Sequence, residues 1–240
     1  MRRNIIILML AASLLTACGS QADYENETVE NTTVEEVAEE NTIDTETDNA
    51  ADSVETAKSL IVYFDYSENI DTTGMDVDAI SSASLRGGSD GTNIENLKVM
   101  VDAITEITGA DVFSVQVNEV YPPDFEDMTG IAREDIANGK EFTFKNELPN
   151  LVEYDTVYIG TPVWWGELPQ PMHVFFERYD FSGKTIVSFG IHHGSRFGKM
   201  VVQMNEYEPE ATVLDGFTID ADTGNEDVKN EFSNYLSTLR

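Results

Sequence analysis

Five apolar runs recur along residues 59–240, and the spacing between them sets the architecture. SLIVYF at 59–64 is unbroken, β-branched and aromatic, as in a strand buried on both faces. ADVFSVQV at 110–117, YDTVYIG at 154–160, KTIVSFG at 184–190 and ATVLDGFTI at 211–219 read as four more strands. Between them the period lengthens to that of helices. TNIENLKVMVDAITEITG sets Ile94, Leu97, Val101 and Ile104 on one face, with Thr92 or Asn93 placed to cap its start and Gly109 to end it. Further helices are predicted at 127–138, along Met172, Phe175, Phe176 and Tyr179, at 199–206, and at 226–239. The last turns Val228, Phe232, Tyr235 and Leu239 inward, with Thr223 and Glu226 spaced as a capping box. Strands alternating with helices predict an α/β fold: a doubly wound parallel sheet with right-handed crossovers and helices on both faces. Ligands of such sheets sit beyond the carboxyl ends of the strands, where strand order reverses.

The residues ahead of this domain follow other rules. Residues 1–17 begin with Arg2 and Arg3 and continue through a mostly apolar stretch too short to span a bilayer, the layout of a secretory signal. The close, Leu15-Thr16-Ala17-Cys18, resembles a bacterial lipobox, in which Cys18 is acylated and becomes the new N-terminus. Cys18 is the only cysteine, so no intramolecular disulfide is possible. Residues 18–58 read as an acidic, disordered tether: from 19 to 57 there are thirteen Asp or Glu, no Lys or Arg, and one aromatic, Tyr24. Removing residues 1–17 takes away two Arg and no acid, which moves the formal charge from −31 to −33. That excess excludes nucleic acid and direct adhesion to anionic lipid as partners. It favours a basic partner, with the membrane met only through the lipid anchor on the extracytoplasmic face.

Three loops follow the first, third and fourth predicted strands and carry the unusual chemistry. TPVWWGELPQP puts Trp164 and Trp165 on a stiff, proline-bounded turn, a stacking platform for a flat heterocycle. The structural alternative is that one Trp fills the core and the other plugs the sheet edge. IHHGSRFG brackets Ser195 with Gly194 and Gly198, so backbone amides can approach a ligand closely, and His192 or His193 can meet a polar ring edge. Adjacent His residues diverge and no acid or Cys lies at ligand spacing, so no metal is expected. Neither the nucleotide P-loop nor the hydrolase elbow fits the spacing around Ser195. The first loop, VYFDYSENID at 62–71, breaks into Ser and Asn as a phosphate loop should, yet carries Asp65, Glu68 and Asp71 and no glycine.

SLIVYF, YPPDF, the stretch from NELPNL to GKTIVSF, HHGS and ATVLDGFTI together resemble the flavodoxin-like proteins of bacterial lipoproteins and small flavoproteins. The resemblance covers essentially residues 60–239. It implies a five-stranded doubly wound sheet of order 2-1-3-4-5 that binds FMN non-covalently. It further implies that Pro162, Val163, Trp164, Trp165 and Gly166 flank the isoalloxazine ring on one side and His192, Gly194 and Ser195 on the other. Where the family reads Tyr-Phe-Ser-x-Thr-Gly-Asn-Thr, this chain has Tyr63-Phe64-Asp65-Tyr66-Ser67-Glu68-Asn69-Ile70. Ser67 and Asn69, with Thr92 and Asn93 after a long insertion, then stand as the phosphate-binding set. A carboxylate about 5 Å from a phosphate dianion opposes it by about 6 kcal/mol at an effective dielectric of about 20, against about 2 kcal/mol from a helix N-terminus. Either Asp65 and Glu68 point away, therefore, or phosphate binding is weak, and the first is the expectation. The leading expectation is an FMN-binding electron carrier or small oxidoreductase at the cell surface. Two others stay open: a flavin-free domain serving as a surface scaffold, and a nicotinamide-dependent quinone reductase. No acid–base pair stands out, so no catalytic residue is assigned.

Overall fold

The first strand, β1 (Lys58–Tyr63), shows no polar face because its side chains alternate between two cores. Leu60 and Val62 join one, and Ile61 and Tyr63 join the other. The structure, a computed structural model, describes residues 58–69, 85–87, 93–119, 121–122 and 125–239. The expected signal at 1–17, Cys18, the tether up to residue 57 and Thr92 lie outside the described residues.

After β1 come β2 (Leu85–Gly87), β3 (Asn93–Glu95), α1 (Asn96–Thr108), β4 (Asp111–Ser114), α2 (Phe125–Asn138), β5 (Tyr154–Pro162), α3 (Gln170–Arg178), β6 (Thr185–His192), α4 (Met200–Tyr207), β7 (Thr212–Asp220) and α5 (Asn225–Ser237). Five strands form one sheet in the order β4-β1-β5-β6-β7, every neighbouring pair parallel. Counting only those strands, this is the expected 2-1-3-4-5. One core gathers Val62, Phe64, Ile159, Trp164, Met172 and Phe175 under α2, α3 and α4. The other gathers Ile61, Leu97, Val187, Phe189, Val228 and Phe232 under α1 and α5. Gly160 is required where these layers meet, because a Cβ there would lie 2.2 Å from the Phe189 ring. Strand order reverses between β1, whose chain leads out to β4, and β5 on its other side, so the loops after β1, β5 and β6 share the carboxyl edge. No helix among the described residues is long and apolar enough to cross a membrane.

Four local expectations are corrected. Asn93 and Ile94 do not open a helix: they lie in β3, paired antiparallel with β2, and α1 begins at Asn96. Leu97, Val101 and Ile104 do face the core. α5 starts after Gly224 with no side-chain cap, so Thr223 and Glu226 form no capping box. Leu239 lies past the end of α5 and is exposed, because the helix stops before it can turn that residue inward. β6 runs on through Ile191 and His192, which makes His192 a strand residue.

Candidate functional site

In the loop after β1 the polar groups are bonded to the protein itself. Asp65 is fully buried, and its Oδ1 accepts the Ser67 backbone N–H at 3.0 Å. Residues Ser67–Asn69 make one 3-10 turn. The Asn69 side chain donates to the Asp65 carbonyl (2.7 Å) and accepts the Val117 amide (2.9 Å), so one end closes the loop on itself and the other straps it to the segment after β4. Glu68 is turned toward β4, where it accepts from the Tyr63 hydroxyl, Ser114 Oγ (2.9 Å) and Gln116 Nε2 (3.4 Å). Burial, then the hydrogen bond to Glu68, raises the Tyr63 phenol above its ordinary range. Burial also pushes Tyr66 up to about 12. Ser67 Oγ is buried and has no hydrogen-bond partner among the described residues. Asn93 sits in β3, and Thr92 lies outside the described residues.

The loop after β5 separates the two tryptophans. Trp164 and Glu167 exchange both backbone hydrogen bonds, which closes a two-residue turn over Trp165 and Gly166. Both tip residues have positive φ, 53° and 76°, the type I′ geometry. Gly166 adopts it freely, whereas a bulky residue such as Trp165 does so at a cost of about 1–3 kcal/mol. The turn drives the two rings apart. Trp164 is 5% exposed and meets Phe64, Tyr66 and Tyr121 edge-on, with centroids 5.9, 6.5 and 5.0 Å away. Trp165 is 56% exposed. Its Nε1 donates to the Thr129 carbonyl of α2 at 3.0 Å, and the Arg133 guanidinium lies 5.0 Å from its ring centroid. Pro162 and Val163 are buried, and the Val163 amide donates to the Ile191 carbonyl (2.8 Å).

The loop after β6 is latched to that turn. The Lys199 amide donates to the Gly166 carbonyl at 2.7 Å, and the Lys199 ammonium pairs with Glu167, whose carboxyl it holds below its ordinary range. Gly198 passes so close that a Cβ there would lie 2.1 Å from the Gly166 oxygen. Arg196 occupies the left-handed region at φ 53°, between Gly194 at 83° and Gly198 at 51°. It thus keeps a glycine-like backbone despite its side chain. The Gly194 N–H is shared between His192 Nδ1 (3.1 Å) and Asp220 Oδ2 (3.2 Å). Burial lowers the His192 pKa against the opposing pull of Asp220, so the ring is neutral at pH 7 with its proton on Nε2. Ser195 is exposed, its Oγ 3.5 Å from the Arg196 carbonyl.

Trp164 therefore belongs to the core, and Trp165 is the surface a flat ligand can meet. The residues fit a planar aromatic group held by Trp165 and the glycine-bearing loop, and Ser67 Oγ is a spare donor of the kind an anionic tail requires. Opposing that tail, Asp65 already takes the Ser67 amide. Sequence spacing could not reveal Asp220, Thr129 or Arg133, since each reaches the site from an element distant in sequence, and it could not show that Glu167 and Lys199, each beside its own loop, pair with one another. His173 lies in α3, bonded to the Tyr207 hydroxyl at 2.9 Å.

The protein family described as Flavodoxin matches residues 94–235, more than half of the chain. No curated protein matches it. Among solved structures, a putative flavoprotein from Bacteroides uniformis is 21% identical, with a TM-score of 0.53 over 73% of this chain and 97% of that one. A putative flavoprotein from Bacteroides eggerthii is 17% identical, with a TM-score of 0.52 over 75% and 98%. A flavoprotein in complex with FMN from Lactobacillus acidophilus is 21% identical, with a TM-score of 0.48 over 75% and 99%. At these identities the likeness shows the fold alone.

Proposed function

This chain belongs to the flavodoxin family, and from that premise we propose that it binds FMN and serves as an electron carrier or small oxidoreductase, held at the cell surface by a lipid on Cys18. The observation that carries the reading is Trp165, 56% exposed at the tip of a strained turn that the following loop braces. Flavin supplies the redox chemistry when bound. The residues of the chain provide the remainder. Trp165 offers a stacking face, worth about 1–3 kcal/mol for a planar ring. His192, neutral and fixed through Gly194, presents an Nε2–H donor. Ser67 Oγ is available to the tail. A formal charge of −31 opposes added negative charge on the ligand and steers a basic redox partner toward the protein, an attraction that added salt weakens.

The test is the visible spectrum of the purified full chain, titrated with FMN. Saturable binding is expected, weakened about tenfold or more in Trp165→Ala. No flavin absorption and no uptake of added FMN would overturn the reading. A second reading, a flavin-free scaffold, is favoured by the Asp65 carboxylate seated on the Ser67 amide, and that same negative result would support it.

A further inference from the structure

Beyond the flavin reading, the carboxyl edge brings together three side chains that chain order keeps apart. His193 is the first residue after β6, Asp220 closes β7, and Asp222 follows two residues later. Asp220 pairs in register with His192, which sets the two strand ends side by side. One ligand atom from each of His193, Asp220 and Asp222 lies within 4.8 Å of the other two. Asp220 is already oriented: the Asp222 N–H donates to Oδ1 at 3.1 Å and the Gly194 N–H to Oδ2 at 3.2 Å. Each of those oxygens keeps a lone pair for a cation. The His193 ring makes no hydrogen bond to any described residue.

We propose that His193, Asp220 and Asp222 form a binding site for a divalent transition cation of the zinc class. One imidazole nitrogen and two carboxylate oxygens suit Zn²⁺ better than Mg²⁺ or Ca²⁺, which favour all-oxygen shells. Ligand atoms bound at about 2.0–2.2 Å from one ion stand about 3.5 Å apart, so atoms already within 4.8 Å of one another need contract by no more than about 1.3 Å. His193 is exposed and can swing inward, while Asp220 stays on its two amides. The ion offsets the charge of two adjacent carboxylates and ties the β6 loop to the β7 loop. Water fills its remaining positions. An overall charge of −31 raises the local concentration of any divalent cation, which favours loading and also demands a control for diffuse binding.

The experiment is calorimetric titration of the metal-free full chain with Zn²⁺ in excess Mg²⁺, alongside His193→Ala and Asp222→Asn. Both positions are exposed, and circular dichroism checks that the variants fold. A single saturable Zn²⁺ event is expected in wild type, weakened about tenfold or more in each variant. The thermal midpoint should rise with Zn²⁺ in wild type and rise less in the variants at the same Zn²⁺ concentration. Wild-type affinity in His193→Ala, or loss of all Zn²⁺ binding to Mg²⁺, would show diffuse attraction to an acidic surface and overturn the proposal. So would wild type that takes up no Zn²⁺.

Discussion

The loop after β1 and the turn after β5 face the same edge of the sheet and treat their side chains in opposite ways. The β1 loop has a polar, receptive sequence, yet Asp65, Glu68 and Asn69 are all bonded inward. The β5 turn has the sequence of a core segment, and one of its two tryptophans is held out in solvent by a backbone conformation that costs energy to form. A polar side chain is available to a ligand only when the fold has no use for it. An apolar one is available only when the backbone prevents its burial.

Substituting the two tryptophans separately tests this contrast most severely. Trp164→Ala should lower stability by about 3–5 kcal/mol in denaturant unfolding, as for other buried aromatics. Trp165→Ala should change stability by about 1 kcal/mol or less while weakening flavin binding about tenfold. Equal destabilisation by both would erase the distinction. Gly198→Ala probes the brace between the loops. Its Cβ would collide with the Gly166 backbone, and a loss of about 3 kcal/mol is expected, with weaker flavin binding.

Asp65→Asn addresses the β1 loop. It keeps an acceptor for the Ser67 amide and leaves a side chain that cannot ionise. The preference for FMN over riboflavin should rise about tenfold, read from paired titrations. An unchanged ratio would mean that the FMN phosphate binds out of reach of Asp65. Glu208 supplies the control, because it too is a buried carboxylate that caps an amide, that of Phe181, but away from these loops. Burial raises it from 4.5 to about 7 against the lowering effect of that amide. A raised carboxyl keeps its proton longer in the folded state than in the unfolded one. Its contribution is therefore full below pH 4.5 and is lost as pH rises through about 7. Wild-type stability should fall by about 1 kcal/mol per pH unit across that window relative to Glu208→Gln.

The sheet was legible because its central strands β1, β5 and β6 are largely buried on both faces and leave apolar runs. Leu60 to Tyr63 enter two cores in alternation, and no loop sequence imitates that. Ile94 misled because a helical spacing of apolar residues says nothing of the β2–β3 pairing that captures it. Which of Trp164 and Trp165 enters the core was illegible because it depends on two positive φ angles, and only one of those residues is glycine. Asp220 was out of reach for a different reason: strand order, not chain order, sets it beside Gly194.

The only two tryptophans of the chain are adjacent in sequence and differ about tenfold in exposure. That arrangement makes the protein its own optical instrument with two channels. The emission of Trp164 should be blue-shifted, shielded from collisional quenchers, and sensitive only to loss of the core. Trp165 should emit further to the red, be quenched readily, and respond to whatever covers the carboxyl edge. Selective quenching of the red component can then follow occupancy of the site, while the blue component follows unfolding, with no label attached.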